Sequence, residues 1–186
     1  MHSEREKTGG RRRGHIPHMI GEMRWLLVAE AVVLALLATT IFAPRPLLVW
    51  NVSASAPAGL YLVRGKAHIE RGDMVIARVR SGLRLFAARR GYLPANVPLV
   101  KRVVGIAGDR VCAAGAAVRV NGKLVATRRA ADARQRPMPR WTGCVDMVEG
   151  DFFLVMSDSP ASFDGRYFGV SNIDDIVGEA RLLWRR

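Results

Sequence analysis

The sequence predicts a mainly β protein: an antiparallel β-sheet domain preceded by one N-terminal transmembrane helix. Three observations carry this. One long apolar run stands near the start. Behind it, short β-branched segments alternate with glycine-aspartate turns. Within them, Asn121-Gly122 separates two apolar runs. Apolar residues make up 49% of the 186, enough for a core in a domain of moderate size.

The apolar run is Trp25–Ala43, in which only Glu30, Thr39 and Thr40 are polar. As a helix it is about 28 Å long, against a hydrocarbon core of about 30 Å. It has no polar face, which a soluble core helix of that length would need. Arg5, Lys7, Arg11, Arg12, Arg13 and Arg24 precede it, whereas Arg45 is the only basic residue between Pro44 and Val63. The positive-inside rule therefore puts the N-terminus in the cytoplasm and the rest outside. The expected organisation is a basic cytoplasmic tail over 1–24, a single membrane span over 25–43, and an extracytoplasmic, periplasmic domain over 44–186. The alternative is a cleaved signal peptide. The apolar run is long for one, and Ile41 suits its cleavage pattern poorly.

Six segments read as strands: Gly59–Val63, Asp73–Val79, Leu99–Ile106, Val118–Ala126, Phe152–Met156 and Glu179–Trp184. Gly72-Asp73, Gly108-Asp109 and Gly150-Asp151 mark turns that enter strands. Asn121-Gly122, between Val118-Arg119-Val120 and Lys123-Leu124-Val125, is a two-residue hairpin signal. Leu83–Arg90 fits a short basic helix, and Ala130–Trp141 a long arginine- and proline-containing loop. Cys112 and Cys144 both follow the span. An even pair in an exported domain points to a disulfide, with two buried free thiols as the alternative.

The net charge of +13 favours anionic partners, such as lipid headgroups, nucleic acid or acidic proteins. An organism with arginine- and alanine-rich proteins would give the same figure. A basic domain outside the cytoplasm does not meet nucleic acid, and no RNA-binding motif with interleaved aromatics is present. A lipid bilayer remains the expected partner of the apolar run.

The chemistry narrows by elimination. His68 is the only histidine beyond the span, in the polar stretch GKAHIERGD, so a Ser-His-Asp triad or a Cys-His pair has no suitable base. No ligand cluster suggests a metal, and no cofactor motif is present. A serine–lysine dyad remains. Ser55 lies in the small-residue loop Ser53-Ala54-Ser55-Ala56-Pro57, which leaves room for a peptide backbone. Lys101 lies in PLVKRVVGIAGDRV, sharing a strand face with Leu99 and Val103. An ordinary lysine titrates near 10.4 and is a poor base at neutral pH, but burial lowers that value. The plainer readings are loop serines and a polar strand edge formed by Lys101 and Arg102.

These blocks resemble the type I signal peptidase family, specifically its TraF-like branch linked to conjugative transfer. SASAP resembles the nucleophile box, KRVVGIAGDRV the lysine box, and SDSPASFDGRYFG, Ser157–Gly169, the late box. The resemblance implies a signal-peptidase-like β domain in which Ser55 is the nucleophile and Lys101 the general base. It also implies that Ser53 helps form the oxyanion hole, Ser162 steadies the lysine, and Asp164 and Arg166 pair near the site. Ala56-Pro57 stands where housekeeping leader peptidases carry a methionine, and Asp158-Ser159-Pro160 where they carry an aspartate-asparagine-arginine run. Both departures favour the TraF-like branch. The implied substrates are exported precursors of pilin type, processed by hydrolysis or by cyclisation. The implied partners are components of a conjugation or type IV secretion apparatus. A non-catalytic, membrane-anchored basic module of such an apparatus is the competing reading.

Overall fold

A computed structural model describes residues 17–41 and 46–186. The chain divides into two compact units, 1–44 and 45–186. In the first, helix α1 runs Pro17–Ile41, and its described side chains, Met23 to Thr39, are all exposed. No helix among the described residues is long and apolar enough to cross a membrane. Phe42 and Ala43, the end of the expected span, lie outside the described residues, as does the expected tail up to residue 16.

The second unit is built almost wholly of antiparallel strands. These are β1 (Leu48–Asn51), β2 (Gly59–Arg64), β3 (Met74–Ala77), β4 (Leu99–Gly105), β5 (Arg110–Ala114), β6 (Ala117–Val120), β7 (Lys123–Thr127), β8 (Gly143–Asp146), β9 (Asp151–Val155), β10 (Ser171–Asn172) and β11 (Ile176–Arg185). Two short helices interrupt them, α2 (Ser81–Arg89) and α3 (Gly165–Phe168). One sheet has the order β1-β2-β11-β3-β4-β9-β10, the other β7-β6-β5-β8. β4 pairs directly with β9, so the whole smaller sheet is inserted between two neighbouring strands of the larger one.

Local chemistry explains the turns. Asn121 and Gly122 both have positive φ, 49° and 79°, as a tight hairpin between twisted strands demands, and Val120 pairs with Lys123 across it. The three Gly-Asp turns share one device. The carboxylate of Asp73, Asp109 or Asp151 accepts the backbone N–H three residues earlier, from Glu70, Ile106 or Val148. Asp175 repeats it on Asn172 without a preceding glycine. Cys112 and Cys144 form a disulfide between directly opposed residues of β5 and β8. Sequence reading missed β1, β8 and β10, which are short or exposed, and marked the turn into β5 at Gly108-Asp109 without giving that strand bounds. All four residues of β8 face solvent, so pairing and the disulfide hold it rather than an apolar face.

Apolar residues from both faces of the larger sheet are buried. Val100 packs with Ala56, Tyr61, Ile76 and Met156, and Leu99 with Val79, Phe163, Tyr167 and Phe168. Between these clusters lies a buried ion pair. Asp164 caps α3, accepting the N–H of Arg166, and the Arg166 guanidinium grips the same carboxylate at 2.8 and 3.1 Å. Arg166 also donates to the Met156 carbonyl at 2.7 Å, and Met156 N–H donates to Asp164 at 3.0 Å. Both side chains are essentially inaccessible to water. The pair therefore fixes the end of β9 to α3 across the whole segment Met156–Asp164.

Removing one member of such a pair strands the other charge. Arg166→Leu is expected to lower unfolding free energy by about 3–5 kcal/mol in chemical denaturation. Replacing both, Asp164→Leu with Arg166→Leu, is expected to cost less than the single change. A single variant as stable as wild type would remove this pair from the account of the fold.

Candidate active site

The loop between β1 and β2 is held from within. Asn51, buried at the end of β1, accepts the Ser53 N–H at 3.0 Å through its side-chain oxygen. Its amide donates to the carbonyls of Ser53, Ala56 and Pro57 at 3.1–3.2 Å. The Tyr61 hydroxyl donates to the Pro57 carbonyl at 2.8 Å. Gly59 lets the chain leave the loop close under β11. A Cβ there would stand 2.0 Å from the Trp184 carbonyl oxygen. Ser53, Ala54 and Ser55 are thus presented on a loop whose backbone polar groups are largely satisfied.

Lys101 lies on β4, flanked by β3 and β9, and its side chain is 1% exposed. Its Nζ donates to Ser55 Oγ at 2.7 Å. Ser53 Oγ lies 2.9 Å from Ser55 Oγ, and the Ser55 N–H donates to Ser53 Oγ at 3.3 Å. Burial pushes the Lys101 amine down to about 8. Asp164 acts to raise it and Arg166 to lower it further. Of the groups singled out in the sequence, Ser53, Ser55, Lys101 and Ser162 line one cleft of about 290 Å³. Asp164 and Arg166 do not line it, but stand behind Lys101 as neighbouring charges. The Ser162 hydroxyl is buried and makes no hydrogen bond among the described residues, Lys101 included. His68 is exposed on the surface.

Two contributors escaped sequence reading. Asn51 was detectable only as an Asn at a strand end before a serine-rich loop, a common turn signal. Tyr92, in the α2–β4 connection, reaches the cleft through tertiary packing and leaves no sequence trace.

The arrangement contains a half-buried hydroxyl, an amine that sheds its proton near pH 8, and a loop of small residues beside an open cleft. It also carries a stability cost with a definite sign. The unfolded lysine binds its proton up to about 10.5, the folded one only to about 8. Below pH 8 the folded state holds a buried charge at full cost. Between pH 8 and 10.5 the unfolded state binds more protons, so stability rises relative to a variant lacking the amine. Lys101→Met is therefore expected to stabilise the protein at pH 7 by up to about 3 kcal/mol, with the gain fading as pH rises from about 8 to about 10.5. Thermal melting of both forms across pH checks this, and a gain independent of pH would contradict it.

Comparison with known proteins gives the family. The family model described as signal peptidase, peptidase S26, matches residues 20–185. A plasmid transfer protein TraF from Escherichia coli is 36% identical over 72% of this chain and 82% of its own length. A probable conjugal transfer protein TraF from Sinorhizobium fredii is 34% identical over 70% and 73%. A signal peptidase I from Bacillus caldolyticus is 29% identical over 64% and 75%. Among solved structures, a signal peptidase I from Enterococcus faecalis aligns with 62% of this chain and 98% of its own, at 17% identity and a TM-score of 0.36. The chain belongs to the signal peptidase (peptidase S26) family and is TraF-like.

Proposed function

We propose that this peptidase is a membrane-anchored serine endopeptidase that removes signal or leader peptides from exported precursors. The observation that carries the reading is the 2.7 Å contact between Lys101 Nζ and Ser55 Oγ, with the amine buried and shifted to about 8.

Neutral Lys101 takes the Ser55 proton as Oγ attacks the scissile carbonyl. The Ser55 N–H and Ser53 hydroxyl, already beside Oγ, turn to the developing oxyanion, a donor pair worth about 3 kcal/mol each in comparable sites. Protonated Lys101 then returns its proton to the leaving amine, giving an ester on Ser55. Water resolves the ester to a free carboxylate. An amine at the substrate's own N-terminus would instead release a cyclic amide, with Ser55 regaining its proton in either case. Ser162, in the same cleft, orients the amine. Asp164 and Arg166 act as a charged backing to Lys101.

The conjugation-related names of the relatives support conjugative transfer as the setting, in which the proposed substrates are exported precursors of pilin type and the proposed partners parts of a conjugation or secretion apparatus. The apolar run in 25–43 and the arginines before it support an inner-membrane anchor, a cytoplasmic N-terminus and a periplasmic catalytic unit.

Mass spectrometry of a pilin-type precursor co-expressed with wild type, Ser55→Ala or Lys101→Ala tests this. Cleavage by wild type alone is expected, and a product one water lighter than the linear fragment marks cyclisation. Processing that persists in both variants sinks the dyad. With the purified enzyme, kcat/KM is expected to climb about tenfold per pH unit below 8 and level off above it, following the neutral fraction of Lys101. A profile flat from pH 6 to 9 would remove Lys101 as base.

A further inference from the structure

The C-terminal end of α2 is clipped to the β7–β8 connection. Arg90 Nη1 donates to the Pro137 carbonyl at 2.7 Å, and Arg136 Nη2 donates back to the Arg90 carbonyl at 3.1 Å. The Tyr92 hydroxyl donates to Asp132 Oδ2 at 2.5 Å. These contacts build a cleft of about 390 Å³ whose charged lining is Arg89, Arg90, Arg134 and Arg136, against Asp132 alone.

Asp132 is fully engaged. Its carboxylate binds the Arg136 guanidinium at 2.6 Å and accepts the backbone N–H groups of Arg134 and Arg136. Burial acts to raise its carboxyl, but the hydrogen bonds from Tyr92 and Arg136 prevail and hold it below the usual carboxylate range. Asp132 therefore neutralises Arg136 and nothing more. Arg90 meets a carbonyl and the Phe86 ring, neither of which cancels its charge. Arg89 and Arg134 are exposed, and neither side chain has an ion pair or hydrogen bond among the described residues. Three guanidinium charges face the cleft uncompensated.

The cleft is not isolated. Tyr92 lines it and also lines the catalytic cleft. Between the two lies a smaller pocket that shares Ala161 and Phe163 with the catalytic cleft and Asp132 with the arginines. A peptide lying at Ser55 has a continuous lined route over Tyr92 to the arginines.

We propose that the arginine cleft is an accessory substrate site that takes a carboxylate side chain, Asp or Glu, of the peptide away from the cleaved bond. Planar guanidinium forks match carboxylates in shape and charge. Continuity with the catalytic cleft favours a peptide carboxylate over a lipid phosphate. The proposal rests on the peptidase reading, so its test is made on binding and not on turnover.

The test uses the full chain in detergent as Ser55→Ala, with a fluorescent alanine-rich peptide bearing two glutamates at one end or the other, and its glutamine twin. At low ionic strength a glutamate peptide is expected to bind about fivefold more tightly than its twin. Arg89→Ala with Arg134→Ala is expected to abolish that preference with an unchanged melting temperature, since both side chains are exposed. Equal affinities, no binding by any peptide, or a preference that survives the double change overturns the proposal. So does loss of binding to phosphatidylglycerol vesicles in the double variant without any peptide preference, which would make the cleft a lipid site. Failure of the catalytic reading shows elsewhere, as processing that persists without Ser55 or Lys101.

Discussion

A lysine amine is held almost wholly buried at the foot of a cleft, and much of the second unit is arranged around that constraint. Lys101 achieves it on β4, an inner strand of the larger sheet, where β3 and β9 cover both edges. The Asp164 carboxylate nearby acts against burial, raising the amine's pKa. Arg166 opposes that effect. It therefore does two things at once: it satisfies a buried carboxylate, and it offsets that carboxylate's pull on the amine. The same guanidinium ties Met156 to α3, which fixes the segment carrying Ser159, Ala161 and Ser162 along the cleft. Electrostatic tuning and loop placement share one side chain.

The nucleophile side solves a different problem. A loop of small residues has little packing of its own, and backbone freedom would blur the position of Ser55. Asn51 replaces side-chain packing with hydrogen bonds to the backbone at both ends of the loop. β1 and β2 pair on either side of it, and the close approach of Gly59 to Trp184 ties the exit to β11. The loop is thus anchored to the same sheet that carries Lys101. A 2.7 Å contact between residues far apart in sequence is the outcome.

Much of this was legible in the chain. Lys101 stood out because a lone lysine sits inside an apolar strand, and Ser55 because small residues surround it. The Asn121-Gly122 hairpin and the Gly-Asp turns depend on local backbone chemistry, which sequence reports directly. β8 did not stand out, because it is exposed throughout and exists through pairing and the disulfide to Cys112. β1 and β10 are likewise short strands made by their neighbours. Tyr92 and the arginine cleft were invisible for a related reason. They arise where α2 and the β7–β8 connection meet, and no local pattern records that meeting. The resemblance could pair Asp164 with Arg166, but not show that the pair holds Met156.

The hydrogen-bond inventory around Lys101 explains why the base is poised rather than merely buried. An ammonium has three N–H donors, and here Nζ has one acceptor among the described residues, Ser55 Oγ. The charged form therefore leaves two donors without partners in a dry place, which adds to the Born cost of the charge. The neutral amine has two donors and one lone pair, and turning that lone pair toward the Ser55 hydroxyl reverses the direction of the existing contact without moving either residue. That reversed hydrogen bond, hydroxyl to amine, is the line along which a proton could pass from Oγ to Nζ. The Ser162 hydroxyl, in the cleft that Lys101 also lines, is buried and unpaired among the described residues. A site that leaves the ammonium under-satisfied favours the neutral amine, the form with a lone pair free to face the Ser55 hydroxyl.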